Sequence, residues 1–495
     1  AWCDPPHGTP PPDTPVTPKM SSPMGPPREP IPTLLPHPPT ARTNGTPTPS
    51  PHTHWDPSDP HGTLLPALGK APLLEGPPHL RHLPPSRSLA HNQLETLPRH
   101  LFRGLDALTH VDLRGNPFHC DCRIKWLVEW LSSTNASAEL GECWGPAELN
   151  GTRLSQLQLQ DFDCITTALA LFQSLPFQAL SVEPFWYRGE QHVAITQPFA
   201  GRCSLLEWDH LDGAFRPLTH VPTGSSPVAC KPLVVEGRLL VVLAQLAGGS
   251  HVWRQEEASG RFVRLQELGP QRIRKPNALA SFRVDGDWFL AVADSSKAGA
   301  TTLFRWGGRG FYAHQALHAW HRDTHVEFLE LAGRPSLILA SSSQRPVVYQ
   351  WSRPGRAFLR HTDIPDMDDV YAVKHFRLRG DVYVCLTRFI GDSKVMRWEG
   401  SMFRDVQHMP SRGSMVFQPL GIGSHRYAVL GNDYSFSQVY RYDARSGLFV
   451  RFQELNTQAP RSFAHLAVHQ RDFVFAASFK GDTQIYRHIT IDLSA

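Results

Sequence analysis

"HVWRQEEASGRFVRL" (residues 251–265) joins an aromatic anchor to a polar loop, a phenylalanine and a short aliphatic tail, and the phrase returns along the rest of the chain. It stands as "LEWDHLDGAFRPL" (206–218), "LFRWGGRGFYAHQAL" (303–317), "VYQWSRPGRAFLRH" (348–361), "VMRWEGSMFRDV" (395–406), "VYRYDARSGLFVRFQEL" (439–455) and, cut short, "IYRHITIDLSA" (485–495). The anchors Trp208, Trp253, Trp306, Trp351, Trp398, Tyr442 and His488 follow at intervals of 45, 53, 45, 47, 44 and 46 residues. Ahead of each come two alternating apolar runs, as in "ALASFRV" (278–284) and "DWFLAVADS" (287–295), where the intervening Asp-Gly marks a tight hairpin. Four short strands per repeat of this length is the pattern of a β-propeller blade. A seven-bladed propeller over residues 166–495 is the expected fold.

The last unit ends after its third strand, whereas a spare strand, "TTALALFQSL" (166–175), precedes the first complete unit. That strand is expected to close the ring as the outer strand of blade seven, so that no edge is left unpaired.

Upstream, "SLAHNQLETLPRHLFRGLDALTHVDLRGNPF" (88–118) has the spacing of a leucine-rich repeat, with Asn92 and Asn116 24 residues apart. A repeat remnant is assigned to residues 87–115 and a cysteine-rich C-terminal cap to 116–165. In the cap, "NPFHCDCRIKWLVEWL" (116–131) places Phe118 toward the repeat and puts Trp126, Leu127, Trp130 and Leu131 on one helical face. Cys120, Cys122, Cys143 and Cys164 have C-x-C spacing on one side only, unlike the two paired sides of a zinc site. They read as disulfides, with Cys120–Cys143 and Cys122–Cys164 favoured among three connectivities. Cys203 and Cys230 are placed to pin neighbouring blades, and Cys385 is expected to be a buried thiol. Together with the sequons at Asn44, Asn135 and Asn150, the even cysteine set points to an oxidising, extracellular compartment.

Residues 1–86 hold more than half of the 45 prolines and no sustained period, and are expected to be disordered or polyproline-like. Over the 495 residues, 19% are charged and the net charge is +4 without basic runs, which argues against nucleic-acid binding. The most apolar stretch, "VVEGRLLVVLAQLAGG" (234–249), is broken by Glu236, Gly237 and Arg238, so no membrane insertion is expected.

The repeat cap, the seven units and phrases such as "DVYAVKHF" (369–376), "CLTRFIGDSKVMRW" (385–398), "MPSRGSMVFQPL" (409–420), "QELNTQAPRSF" (453–463) and "SFKGDTQIYRH" (478–488) resemble the leucine-rich glioma-inactivated family over residues 87–495. The resemblance implies a secreted glycoprotein ligand whose propeller repeats, called EPTP or EAR, bind catalytically inactive ADAM-type receptors. For one branch of the family it implies axon–glia signalling in peripheral myelination. It also allows self-association through contacts between leucine-rich repeat and propeller.

In a propeller, the loops between strands two and three and the links between blades emerge on one face. The loops carry Phe199, Leu246, Lys297 and Phe479; the links carry Val228, Arg274, Lys275, Arg322, Tyr371 and Met415. An apolar centre with a basic rim suits a protein interface. The resemblance implies that these positions bind receptor, the apolar ones seating an aromatic plug and the basic ones meeting acidic surroundings. For Phe199, Tyr371 and Met415 the alternative is plain core packing.

The resemblance also brings a calcium ion into the channel of relatives, held by acidic residues where this chain has Ala278 and His325; Asp369 alone would not replace them. No metal or cofactor is expected. His318, His321 and His325 have a spacing that suits one helix face but fall at a blade junction. Catalysis would need converging acids, bases or a metal cage, and none is legible. A matrix protein without a dedicated receptor is the alternative reading, and a propeller hydrolase a more distant one.

Overall fold

The computed structural model describes residues 86–494 apart from Asp106, Ser225, Gln271 and Trp320; the proline-rich segment, Cys3 and Asn44 lie outside the described residues. Residues 81–495 form one compact unit.

The strands Ser86–Ser88, His110–Asp112 and Ser137–Glu139 pair in parallel, as stacked repeats must. Asn116, 2% exposed, closes this layer. Its carboxamide oxygen accepts from the backbone N–H of Asn92 and Leu94 at 2.9 and 3.1 Å, and its nitrogen donates to the carbonyls of Leu89 and Leu113 at 2.8 and 3.0 Å. The cap follows. Asp121 caps a short 3-10 turn by accepting from the Arg123 N–H, and the helix Lys125–Ser133 buries Leu127 and Val128 with Phe118 below. The indole of Trp126 donates to the Leu97 carbonyl at 3.1 Å, tying helix to repeat. Cys120 bonds to Cys143 and Cys122 to Cys164, with Cα separations of 5.6 and 5.4 Å, within the ordinary disulfide range. Asn135 and Asn150 are exposed.

Seven four-stranded antiparallel sheets follow one another around the ring. Blade one runs through Ser181–Tyr187, Glu190–Gln197, Arg202–Asp209 and Ala214–Pro222. Blade seven combines Pro460–Val468, Arg471–Ser478 and Thr483–Asp492 with Ile165–Leu175, which pairs with Thr483–Asp492 over ten residues. One expectation is corrected: second strands do not alternate. Arg238–Gln245 and Asp287–Asp294 are buried almost continuously, because each sheet is covered by a neighbour on both faces.

The first hairpin of most blades needs two residues in the left-handed region, the geometry of a type I′ turn. Asp285 and Gly286 adopt it with φ of 48° and 90°, whereas in blade seven His469 and Gln470 adopt it without glycine, at 49° and 61°.

Two devices lock blade to blade. On the outer strands, Gln266 grips Phe311 of the next blade, donating to its carbonyl at 2.8 Å and accepting from its N–H at 2.7 Å. The same grip joins Gln315 to Phe358, Gln407 to Phe449, Gln453 to Leu169 and Gln173 to Phe215. Between blades one and two the disulfide Cys203–Cys230 is the link. Cys385 is buried, and burial pushes its thiol up.

The second device uses the anchors. The indole of Trp351 donates to Asp285 at 2.9 Å and that of Trp306 to Glu236 at 3.4 Å, in each case to the first hairpin of the preceding blade. For Trp398 that hairpin presents Ala332, at φ 49°, and the buried indole nitrogen has no partner among the described residues. Ala332→Asp is therefore expected to stabilise the propeller by about 1 kcal/mol, since a buried donor gains an acceptor and aspartate tolerates this backbone better than alanine. Denaturant melts of the two proteins check it; no gain would mean that the indole is already satisfied by water.

Candidate functional site

The loops between second and third strands and the links between blades share one face of the ring. Phe199 is 68% exposed and packs against Phe479 at 5.3 Å between ring centroids, with the Arg461 guanidinium over Phe479 at 5.4 Å. Arg461 is held by both carboxylate oxygens of Asp433, at 2.7 and 3.0 Å. Leu246 is 52% exposed, so neither it nor Phe199 is core. Val228, Tyr371 and Met415 are half-buried and line the mouth of the central channel, a cavity of about 380 Å³. Lys275, Lys297, Arg322 and Tyr371 line a second pocket beside it. Arg274 stands on the same link as Lys275 but lines neither cavity.

The aromatic part of this face extends beyond the residues singled out from sequence. Tyr371 neighbours Phe389 at 6.2 Å, and Phe389 neighbours Tyr434 at 5.8 Å; Ile390, Tyr434 and Phe436 are all exposed. They sit in the strand two-to-three loops of blades five and six, the same structural place as Phe199. That repeat position was the available signal.

Ala278 and His325 line the channel as the sequence placed them, but the ion pairs of its wall were missed. Glu183 receives the Lys231 ammonium at 2.6 Å, and Glu327 lies 3.5 Å from Lys374 and 2.7 Å from His375. Burial alone would raise Glu327, but Lys374 and the hydrogen bond from His375 hold it down at about 2. Burial alone would lower Lys374, and Glu327 and Glu183 more than offset it. His325 also lines the channel, and its burial, with Lys374 nearby, pushes it down to about 3, so the imidazole is neutral at physiological pH. These groups do not fit a calcium ion: Ala278 brings no oxygen side chain, His325 brings nitrogen, and both carboxylates are committed to lysines.

The other histidines diverge from His325. His318 bonds to Asp323 at 2.6 Å and stacks on His321 at 3.9 Å; His318 is on a strand, and no helix brings the three to one face. Among the described residues no group of three or more His, Cys, Asp or Glu side chains is arranged to hold a metal. No helix is long and apolar enough to cross a membrane among them.

The EPTP domain family model matches residues 169–209, 261–306, 310–352, 357–399, 402–443 and 448–489. Each matched segment begins on an outer strand and ends on the third strand of the next blade, so the repeat in sequence straddles two blades. The stretch it passes over between the first two matches, 210–260, holds Cys230, one half of the disulfide that fastens blade two to blade one. The mouse Leucine-rich glioma-inactivated protein 1 is 56% identical over 388 residues, 77% of this chain and 70% of the relative. The Bos taurus protein of that name is 56% identical over 77% of this chain and 72% of its own length. The mouse Leucine-rich repeat LGI family member 3 is 51% identical over 77% and 69%. Among solved structures, Saccharomyces cerevisiae Sqt1 is similar at a TM-score of 0.45 and 12% identity, over 65% of this chain and 98% of that one, too loose a likeness to bear on function. This seven-bladed EPTP protein is thereby placed outside the enzymes, and the chain belongs to the leucine-rich glioma-inactivated family.

Proposed function

We propose that the chain is a secreted glycoprotein ligand whose propeller face seats a catalytically inactive ADAM-type receptor in axon–glia signalling that supports peripheral myelination. The observation that carries the reading is exposed Phe199, packed on half-buried Phe479, beside the half-buried mouth of Val228, Tyr371 and Met415, an apolar seat on the face that also bears Leu246. Arg274, Lys275, Lys297 and Arg322 supply the charged rim. This is the anatomy of a specific interface, in which buried anchors hold the partner and rim charges steer its approach. The three disulfides among the described residues and the exposed sequons Asn135 and Asn150 favour secretion with glycans at those sites.

Met415→Glu places a charge where the seat is desolvated on binding, so affinity for an inactive ADAM ectodomain is expected to fall at least about 30-fold, roughly 2 kcal/mol. Secretion should be unchanged, because Met415 is only half-buried in the free protein. Surface-binding kinetics of secreted variants measure it. Unchanged affinity would move the seat to another face; no binding by the unmodified protein would favour the matrix reading.

A further inference from the structure

The pocket beside the channel mouth, about 590 Å³, is lined by Lys275, Lys297 and Arg322 and by no acidic side chain. Among the described residues none of these three cations pairs with a carboxylate. Cations gathered without counter-charge repel one another, an arrangement that a bound polyanion relieves.

A second observation points the same way. Ser296, on the pocket wall, is 9% exposed, and its hydroxyl is buried without a hydrogen-bond partner among the described residues. A buried, unused donor beside unpaired cations is completed by an acceptor from outside.

The cations are also held in place. Asp294, 2% exposed, accepts from the backbone N–H groups of Arg274, Lys275 and Ser296 at 2.6, 3.2 and 2.8 Å, which joins the two loops that carry Lys275 and Lys297. The Ser295 N–H adds a bond to the Lys275 carbonyl at 2.8 Å. Arg322 keeps a left-handed backbone, φ 50°, with its carbonyl accepting from the Ser342 N–H at 3.2 Å.

One carboxylate is satisfied by a single guanidinium fork, whereas three cations and a hydroxyl ask for several charges and many acceptor oxygens. We propose that this pocket binds sulfate esters of a glycosaminoglycan chain. The assignment rests on the secreted reading and goes beyond the receptor reading, with which it shares Lys275, Lys297 and Arg322; a bound glycan would occupy part of the receptor's rim.

The test uses the full secreted chain, an immobilised heparin-type dodecasaccharide, its chemically desulfated counterpart and inorganic sulfate as competitor. The unmodified protein is expected to bind the sulfated chain and not the desulfated one. Lys297→Ala combined with Arg322→Ala should weaken binding about tenfold or more and flatten its salt dependence by about two charges. Ser296→Ala should weaken it with the salt slope kept, and Arg445→Ala, in an exposed turn between third and outer strands of blade six, should change nothing. Phe199→Glu should retain glycan binding while losing receptor, so failure of one assignment is distinguishable from failure of the other. Undiminished binding by the Lys297/Arg322 variant, an equal loss in Arg445→Ala, retention of the desulfated chain, or affinity for free sulfate with no gain from the dodecasaccharide would each overturn the proposal.

Discussion

Replacing residues 166–175 by a glycine-serine linker of equal length is expected to leave no cooperatively folding propeller. Among the described residues, Ile165–Leu175 is the only partner that the outer side of Thr483–Asp492 has, and the pairing spans ten residues. It also brings Leu169 and Leu175 into two separate core clusters and sets Phe172 against Trp208 and Phe473. Full burial of a leucine contributes about 1.5–3 kcal/mol, so these side chains and the lost strand amount to much of the roughly 5–15 kcal/mol that a domain has. Two blade locks go with the strand, since Gln173 grips Phe215 and Gln453 grips Leu169. Near-ultraviolet circular dichroism and thermal melts of the secreted product decide the matter. A soluble variant with a native melting transition would show that the ring closes without this strand.

Glu327→Gln is expected to cost about 3 kcal/mol, in the range found when one partner of a buried pair is removed. The carboxamide keeps the shape but leaves the Lys374 ammonium in the channel facing only the more distant Glu183 and the neutral His325. About a third of the Lys374 side chain is reachable by water, which sets the lower end of the expected loss. Adding Lys374→Met should recover most of the stability, and the double-mutant cycle isolates the pair from the packing. The acid limb gives an independent reading. The folded pKa of Glu327, about 2, lies below its ordinary 4.5, so its contribution is fully present above pH 4.5 and is lost as pH falls from there toward 2. His325 adds a second acid-sensitive component. Lowered from 6.5 to about 3, it favours the folded state above pH 6.5, and that advantage shrinks as pH falls toward 3. In Glu327→Gln the lower component should vanish from the stability profile while the His325 component remains. An unchanged profile between pH 4.5 and 2 would mean that the carboxylate is not specially stabilised in the fold.

The candidate face was largely readable because propeller loops inherit their place from strand order. Once the anchors set the frame, Phe199, Leu246, Lys297 and Phe479 had to lie between second and third strands, and the structure puts them there. The same rule applied evenly would have found Ile390, Tyr434 and Phe436. The channel pairs were not readable in this way, because an inner-strand Glu between apolar neighbours, as in Val182-Glu183-Pro184 and Val326-Glu327-Phe328, looks the same whether it meets lysine or water. Glu183 and Lys231 are 48 residues apart, as are Glu327 and His375, and each pair meets only because adjacent blades bring equivalent strand positions together.

The sequence by itself determined the number of blades, the ring-closing strand and the disulfide-stapled cap. Those features rest on local chemistry: the anchor period, turn residues suited to a left-handed backbone, and cysteines placed where a small cap needs covalent support. The tertiary structure alone decided which blade junctions take a glutamine grip, where each anchor indole finds an acceptor, and which channel charges neutralise each other. It also decided that Lys275, Lys297, Arg322 and the unpartnered Ser296 hydroxyl share one pocket. The physical reason is common to all of these. Each depends on groups that approach across a blade boundary, where a few ångströms separate a satisfied charge from an orphan and no local period in the chain records the distance.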